Sequence, residues 1–207
     1  PVAVLTALFI AKIAPKKIAA VLRQIVELLA SIPSIIYGVF GLGVISRLVA
    51  SLGEATGNQT SAGLSLLTTI LVLAIMILPT ITVMSETAIR SVEKPIIQGS
   101  LALGASEMQT YFKVVLASAK SGIFAGIVLG VGRALGEATA VSMVSGNLFS
   151  GIQTNLFGTT TTLTSRMLLG IKETTGIDYD IRFSIGVVLM AVIIITNIAL
   201  RAIMKKV

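Results

Sequence analysis

Two charged residues of opposite sign, Arg133 and Glu137, lie in the segment 121–146, which is otherwise apolar enough to span a membrane. Ionisable side chains in hydrocarbon are costly, and they usually face a bundle interior or a water-filled path. At a spacing of four residues on a helix, both side chains point to one face. A guanidinium can hold the oxygens of an anion, and a nearby carboxylate can orient it and offset its charge. The pair therefore marks either a place where an anion passes or a buried ion pair that locks two helices together.

Three glycines precede this pair on the same predicted helix. At about 100° per residue, Gly122, Gly126 and Gly130 fall on the face that carries Arg133. Small residues at this spacing let membrane helices approach each other closely. We expect this face to pack against a neighbouring helix or to line a path, and not to face lipid.

The composition is that of an integral membrane protein. Of the 207 residues, 55% are hydrophobic and 12% are charged, which is about half the charged fraction of a soluble domain. Neither cysteine nor histidine occurs, so disulfides, thiolates and the commonest general base and metal ligand are all excluded. We expect no catalytic residue, no metal site and no cofactor. The net charge of +7 comes from Lys and Arg near the ends of apolar spans, which indicates membrane orientation and not nucleic-acid binding.

Four full spans are predicted after an apolar N-terminal stub, all within a single membrane domain. The stub, 1–11, is too short to cross a bilayer, and we interpret it as the end of a span that begins earlier. Most of the 16 Lys and Arg lie on one side, which the positive-inside rule makes cytoplasmic. The loop 85–120 is then cytoplasmic and the loop 147–182 is external. Pro33 and Pro79 fall in two spans, each as a kink or as one end of a helix. The spans are predicted at 26–49, 64–84, 121–146 and 183–204.

The loop 85–120 is long for a simple connection and too apolar for a free linker. Ser106 followed by Gln109 forms a capping box, which begins a helix, and Gly104 interrupts the chain just before it. We expect two short helices joined at Gly104 at the inner membrane face. The pattern fits an amphipathic interfacial helix and a docking element for a cytoplasmic partner equally well.

The same loop resembles the coupling loop of binding-protein-dependent ABC transporter permeases. That family pattern is Glu-Ala-Ala, three residues, Gly, nine residues, Ile, one residue, Leu-Pro. Here Gln98, Gly99 and Ser100 stand at the Glu-Ala-Ala positions, Gly104 is the glycine, and Ala117 replaces the proline. The resemblance implies that this segment enters a cleft of an ATPase subunit and transmits its motion. The implied coupling residues are Gln98, Gly99, Ser100, Gly104, Ala105 and Ser106.

Further stretches resemble the phosphate-uptake permeases of this superfamily, in particular the PstC type. The resemblance covers nearly the whole chain and implies an all-α, polytopic transmembrane helical bundle of the type I importer class, with cytoplasmic coupling helices. It also implies that roughly the first span and a half are absent. The segments that carry it are IPSIIYGVFGLGV (32–44), SLLTTILVLAIMILPTI (65–81), SLALGAS (100–106), GRALGEATAVSMVSGN (132–147) and TLTSRMLL (162–169).

The function implied by this resemblance is that of a non-catalytic permease subunit of an ATP-driven phosphate importer in the cell membrane. Arg133 and Glu137 would line the translocation path. The implied partners are a second permease of the PstA type, ATPase subunits, an extracytoplasmic phosphate-binding protein and membrane lipid. Two alternatives remain open: an importer for another solute such as sulfate or molybdate, and a membrane scaffold or sensor that relays phosphate status.

Overall fold

The computed structural model describes residues 1–148 and 153–206, so residues 149–152 of the predicted external loop lie outside the described residues. Within these ranges the chain is helical between its turns, with two isolated β-bridges, and the predicted all-α class is confirmed. Three π-helical turns, Phe9–Ile13, Gly41–Ile45 and Thr110–Val115, adjoin α-helices. The α-helices are α1 (Val2–Leu8), α2 (Lys16–Ser31), α3 (Ser34–Phe40), α4 (Ser46–Ala55), α5 (Leu66–Arg90), α6 (Lys94–Ala102), α7 (Glu107–Gln109), α8 (Leu116–Leu135), α9 (Thr139–Val144), α10 (Leu163–Leu168) and α11 (Ile177–Lys206).

Four helical stretches of the described chain are long and apolar enough to cross a membrane. Each is at least 22 residues long, and a crossing needs roughly 20. The last begins six residues before the predicted span 183–204 and carries Asp178 and Asp180 in its first turn, where the helix dipole favours carboxylates. The four stretches are Ser34–Ala55, Leu66–Arg90, Glu107–Leu135 and Ile177–Ile203.

The first full span begins later than the prediction 26–49, because Pro33 separates two helices. A proline lacks the N–H needed within a helix and disfavours helical geometry in the residue before it, and Pro33 itself is extended, with ψ 140°. The helix α2 therefore ends at Ser31, and the span starts at Ser34. Pro79, by contrast, lies inside α5, where it does not end the helix.

The predicted loop 85–120 is much shorter in the structure. Since α5 continues to Arg90 and the next long helix begins at Glu107, only 91–106 connects them. One of the two helices expected there, α6, is short. The helix that begins at the Ser106 capping box is not short, because it continues through a π-helical turn and α8 to Leu135.

The structure divides into two compact units, each with its own buried residues. In the first, Leu8, Ile89 and Val115 form the centre of an apolar cluster. In the second, Gly41 lies against Val72 and Val144, and both valines are almost fully buried. The first unit comprises 1–31, 77–132 and 197–207, and the second comprises 32–76 and 133–196.

Candidate functional site

The expected continuous helix over 121–146 is wrong, because the chain breaks between its two charged residues. The helix α8 ends at Leu135, and α9 begins at Thr139 after three non-helical residues. The N–H of Glu137 turns back to the carbonyl of Ala134 at 3.3 Å. Non-helical backbone at membrane depth is tolerated only where it is buried in protein or lines a cavity. Glu137 therefore does not share a helix face with Arg133.

Each charge instead lies at the end of a helix that suits its sign. Arg133 is in the last turn of α8, where the exposed carbonyls favour a cation. Glu137 lies just before α9, and its Oε1 accepts a hydrogen bond from the N–H of Ala140 at 2.9 Å. A carboxylate in this position pairs one of the N–H groups that every helix start leaves open. Both side chains are partly exposed, so both remain accessible to water or to an ion.

A second segment of the family resemblance packs beside this break. A Cβ added at Gly38 on α3 would come within 2.7 Å of Met143 Sδ and 3.0 Å of Ala140 Cα, so α3 and α9 are in direct contact there. The neighbouring Tyr37 is buried. The Tyr-Gly pair of the resemblance therefore lies at a close helix contact beside the break.

A third segment of the resemblance, 162–169, also contacts the break, although it lies further along the sequence. The Oγ1 of Thr164 on α10 donates a hydrogen bond of 2.8 Å to the main-chain carbonyl of Glu137. That helix begins with a capping box between Thr162 and Ser165, which fixes the position of Thr164 two residues into the motif. Sequence reasoning did not single out Thr164, because its partner is 27 residues away.

The glycines of α8 lie against α5, within the first unit. An added Cβ would come within 2.5 Å of Ala88 Cβ at Gly122 and within 2.8 Å of Met84 Cβ at Gly126. At Gly130 it would come within 2.6 Å of Ile81 Cγ1. The spacing of four residues therefore runs along a close helix–helix contact, as small residues allow in membranes.

The residues expected to couple to an ATPase lie in an exposed helix–turn–helix. Gly104 has φ +85° and follows α6 in a Schellman motif, in which its N–H bonds the Leu101 carbonyl at 3.0 Å and the Ala105 N–H bonds the Ser100 carbonyl at 3.3 Å. The Ser100 hydroxyl also hydrogen-bonds that of Thr110 over 2.9 Å. Gln98, Gly99 and Ser106 are exposed, while Ser100 and Ala105 are partly buried.

The most exposed large apolar residue of the described chain, Leu103, lies at the tip of this turn, with 91% of its surface accessible. Ile96 and Leu101 on α6 and Met108 on α7 are exposed as well. Apolar side chains grouped at an exposed turn are typical of an interaction surface. The sequence pattern located the turn but gave no indication that Leu103 would extend from it.

An ion-pair cluster on α2 and α5 was also missed. Glu86 is 5% exposed, and its Oε1 accepts hydrogen bonds from the Nε of Arg23 at 2.9 Å and the Nε of Arg90 at 2.7 Å. The hydrogen bond to Glu86 raises the pKa of Arg23, so this arginine stays charged at any physiological pH. The order Glu86 then Arg90 is the favourable i,i+4 arrangement, and it is the one local signal for the cluster.

Comparison with known proteins assigns the family. The sequence profile of the family described as "Binding-protein-dependent transport system inner membrane component" matches residues 3–207. The chain belongs to this family. Together with the four helices that can cross a bilayer, membership makes it a multi-pass membrane protein.

Individual members of the permease family match over most of the chain. The chain is 38% identical over 192 residues to the probable ABC transporter permease protein YqgH of Bacillus subtilis (strain 168), which covers 92% of this chain and 60% of that protein. It is 32% identical over 226 residues to the phosphate transport system permease protein PstC 1 of Mycobacterium tuberculosis, covering 100% of this chain and 67% of the relative. The PstC protein of Haemophilus influenzae is 29% identical over 220 residues, which is 100% of this chain and 70% of the relative.

The chain thus spans 60% to 70% of the length of these relatives. These matches confirm the predicted similarity to ABC transporter permeases of the PstC type.

Proposed function

We propose that the protein is the membrane-spanning permease subunit of an ATP-driven importer of inorganic phosphate. The observation that carries the proposal is the similarity over the whole chain to proteins named as phosphate transport system permeases. Three of the segments that carry that resemblance, 32–44, 132–147 and 162–169, also meet at one broken helix. The subunit is non-catalytic, and a partner hydrolyses ATP.

The break between α8 and α9 is the proposed substrate path. Discontinuous membrane helices often form the substrate sites of transporters, and Arg133 and Glu137 lie at the two ends of this one. Arg133 offers a permanent charge and several donors to the oxygens of phosphate. Because Glu137 is engaged with the start of α9, it offsets the positive charge without having to bind the guanidinium directly. A partly compensated arginine can attract an anion and still release it.

The turn at Gly104 is the proposed contact with the ATPase. It is exposed, it carries an apolar tip at Leu103, and its two helices are tied by the hydroxyls of Ser100 and Thr110. The second of these helices is continuous with α8. A movement of the turn would therefore be carried along one continuous helix, which includes Arg133. On this proposal the loop 91–106 is cytoplasmic, and 153–176 faces the extracytoplasmic phosphate-binding protein.

Uptake of radiolabelled phosphate by cells that depend on the full-length protein tests this function. Arg133→Ala should lower uptake at least about tenfold, because a charged group that pairs with the anion is lost. Arg47→Ala is the matched control, since Arg47 is an exposed arginine of another span, and its uptake should be unchanged. Normal uptake in the Arg133 variant, with the complex assembled, would show that Arg133 does not act in the substrate path. Absence of labelled phosphate uptake that depends on the protein would show that the solute is not phosphate, and suppression by unlabelled sulfate or molybdate as strong as that by unlabelled phosphate would show that the path does not select phosphate.

A further inference from the structure

A cavity of about 390 Å³ lies between the π-helical turn Phe9–Ile13, α2 and α5 in the first unit, and it is bordered by cations. Lys16, Arg23 and Arg90 line it, together with aliphatic side chains of the π-helical turn and of α2. Lys12, on the π-helical turn after α1, lies close enough to Arg90 for the charge of Arg90 to act on it. Three cationic groups thus line one cavity, and a fourth, Lys12, lies within electrostatic range of one of them.

The carboxylates nearby do not balance these cations. Glu86 is shared between Arg23 and Arg90, and Glu27, one turn along α2, acts on Arg23 at longer range. No described contact pairs either carboxylate with Lys12 or Lys16. Like charges held together repel one another, so an anion that enters the cavity would relieve the repulsion.

The helix next to the cavity has an apolar face with no protein covering in the described structure. On α2, Ile18, Val21, Ile25 and Leu28 are each about half exposed or more, and the 100° helical period places them on one side, opposite Lys16 and Arg23. An amphipathic helix with basic residues on its polar face lies in the plane of the membrane interface, with its apolar face among the acyl chains.

We propose that this cavity binds the phosphate of an anionic phospholipid in the leaflet where the apolar face of α2 lies. Basic pockets between helices at the membrane surface are suited to anionic headgroups, and an interfacial position of α2 brings its basic side, which lines the cavity, to the level of those headgroups. A soluble anion would use the same cations but would not need the cavity to lie at the membrane surface. The lipid would hold α2 against α5 through Arg23, Glu86 and Arg90. The site is separate from the one formed by Arg133 and Glu137.

Native mass spectrometry of the full-length protein in detergent tests the assignment. The protein is mixed with phosphatidylglycerol and phosphatidylcholine of the same acyl chains in equal amounts. The expected result is preferential retention of phosphatidylglycerol, unaffected by inorganic phosphate at the same concentration. Equal retention of the two lipids would overturn the proposal. Displacement of phosphatidylglycerol by inorganic phosphate would show a site for the free anion and would overturn the lipid assignment.

Charge-matched variants separate this site from general surface attraction. Lys12→Gln with Lys16→Gln should weaken phosphatidylglycerol binding by on the order of tenfold, because each lysine near the surface contributes to headgroup attraction. Lys17→Gln with Lys94→Gln removes the same charge from exposed positions that do not line the cavity, and it should leave retention unchanged. An equal loss in both pairs would overturn the proposal. Lys16→Gln alone, at an exposed position, gives a smaller loss in the same direction if substitution of Lys12 disturbs folding.

Discussion

The Oγ1 of Thr164 donates a hydrogen bond of 2.8 Å to the main-chain carbonyl of Glu137, and so joins α10 to the break between α8 and α9. The carbonyl lies in a stretch without helical hydrogen bonding, so it has no partner within its own turn. The side chain of the same residue bonds forward to Ala140. Glu137 is therefore held at both its backbone and its carboxylate, and these two bonds fix the course of the chain between α8 and α9.

Thr164→Val should loosen this break, because it leaves a partly buried carbonyl without its donor. The expected loss in free energy of unfolding is about 1–3 kcal/mol, measured by thermal unfolding of the purified protein, together with a lower rate of phosphate uptake. Thr87→Val is the control, since the Thr87 hydroxyl is exposed and bonds only a carbonyl of its own helix. Equal effects from both substitutions would show that the Thr164 hydrogen bond contributes no more to stability or to uptake than an exposed bond within one helix.

Glu137 can be tested for charge and for capping separately. Glu137→Gln keeps an oxygen that can accept the Ala140 N–H, so the stability should stay near that of the unsubstituted protein. Glu137→Ala removes the acceptor and should cost about 1 kcal/mol, as the loss of a helix cap does. Under the proposed function both variants should transport phosphate more slowly, because both remove the negative charge that Glu137 supplies at the break. Rapid uptake by the glutamine variant would show that Glu137 acts as a cap alone.

The sequence predicted the elements well where the signal is local, and poorly where it depends on distant residues. The capping box at Ser106 is contained in four residues, and the structure has it. The break after Leu135 has only a weak local signal, Gly136, since glycine disfavours helix but also occurs inside α8. One support of the break, Thr164, is distant in the sequence. The partnership of Arg23 with Glu86 spans 63 positions, a separation at which periodicity carries no information. Helical period alone therefore extended the third span too far.

The contact between α8 and α5 gives a prediction about packing. Gly122→Ala should destabilise the protein by about 1–3 kcal/mol, because the new methyl would meet the Cβ of Ala88 at 2.5 Å and only a shift of the helices could relieve the clash. Gly130→Ala should cost less, since its nearest neighbour is the flexible side chain of Ile81. Gly132→Ala on the same helix has open space within 4 Å, and it should gain up to about 1 kcal/mol from helix propensity. Thermal unfolding of the three variants would give this order, and a destabilised Gly132 variant would contradict it.

The turn after α6 gives a prediction about coupling. Gly104 has φ +85° and no atom within 4 Å of an added Cβ, so Gly104→Ala meets backbone strain and no clash. The left-handed conformation costs a residue with a side chain about 1–2 kcal/mol, which favours a rearranged turn and a displaced Leu103. Under the proposed function, phosphate uptake should then fall while the stability of the membrane helices stays unchanged. Gly43→Ala is the matched control, because it adds the same methyl into open space without a positive φ and outside the coupling segment, and it should transport normally. Comparable uptake by the two variants would show that the geometry of this turn does not carry the coupling.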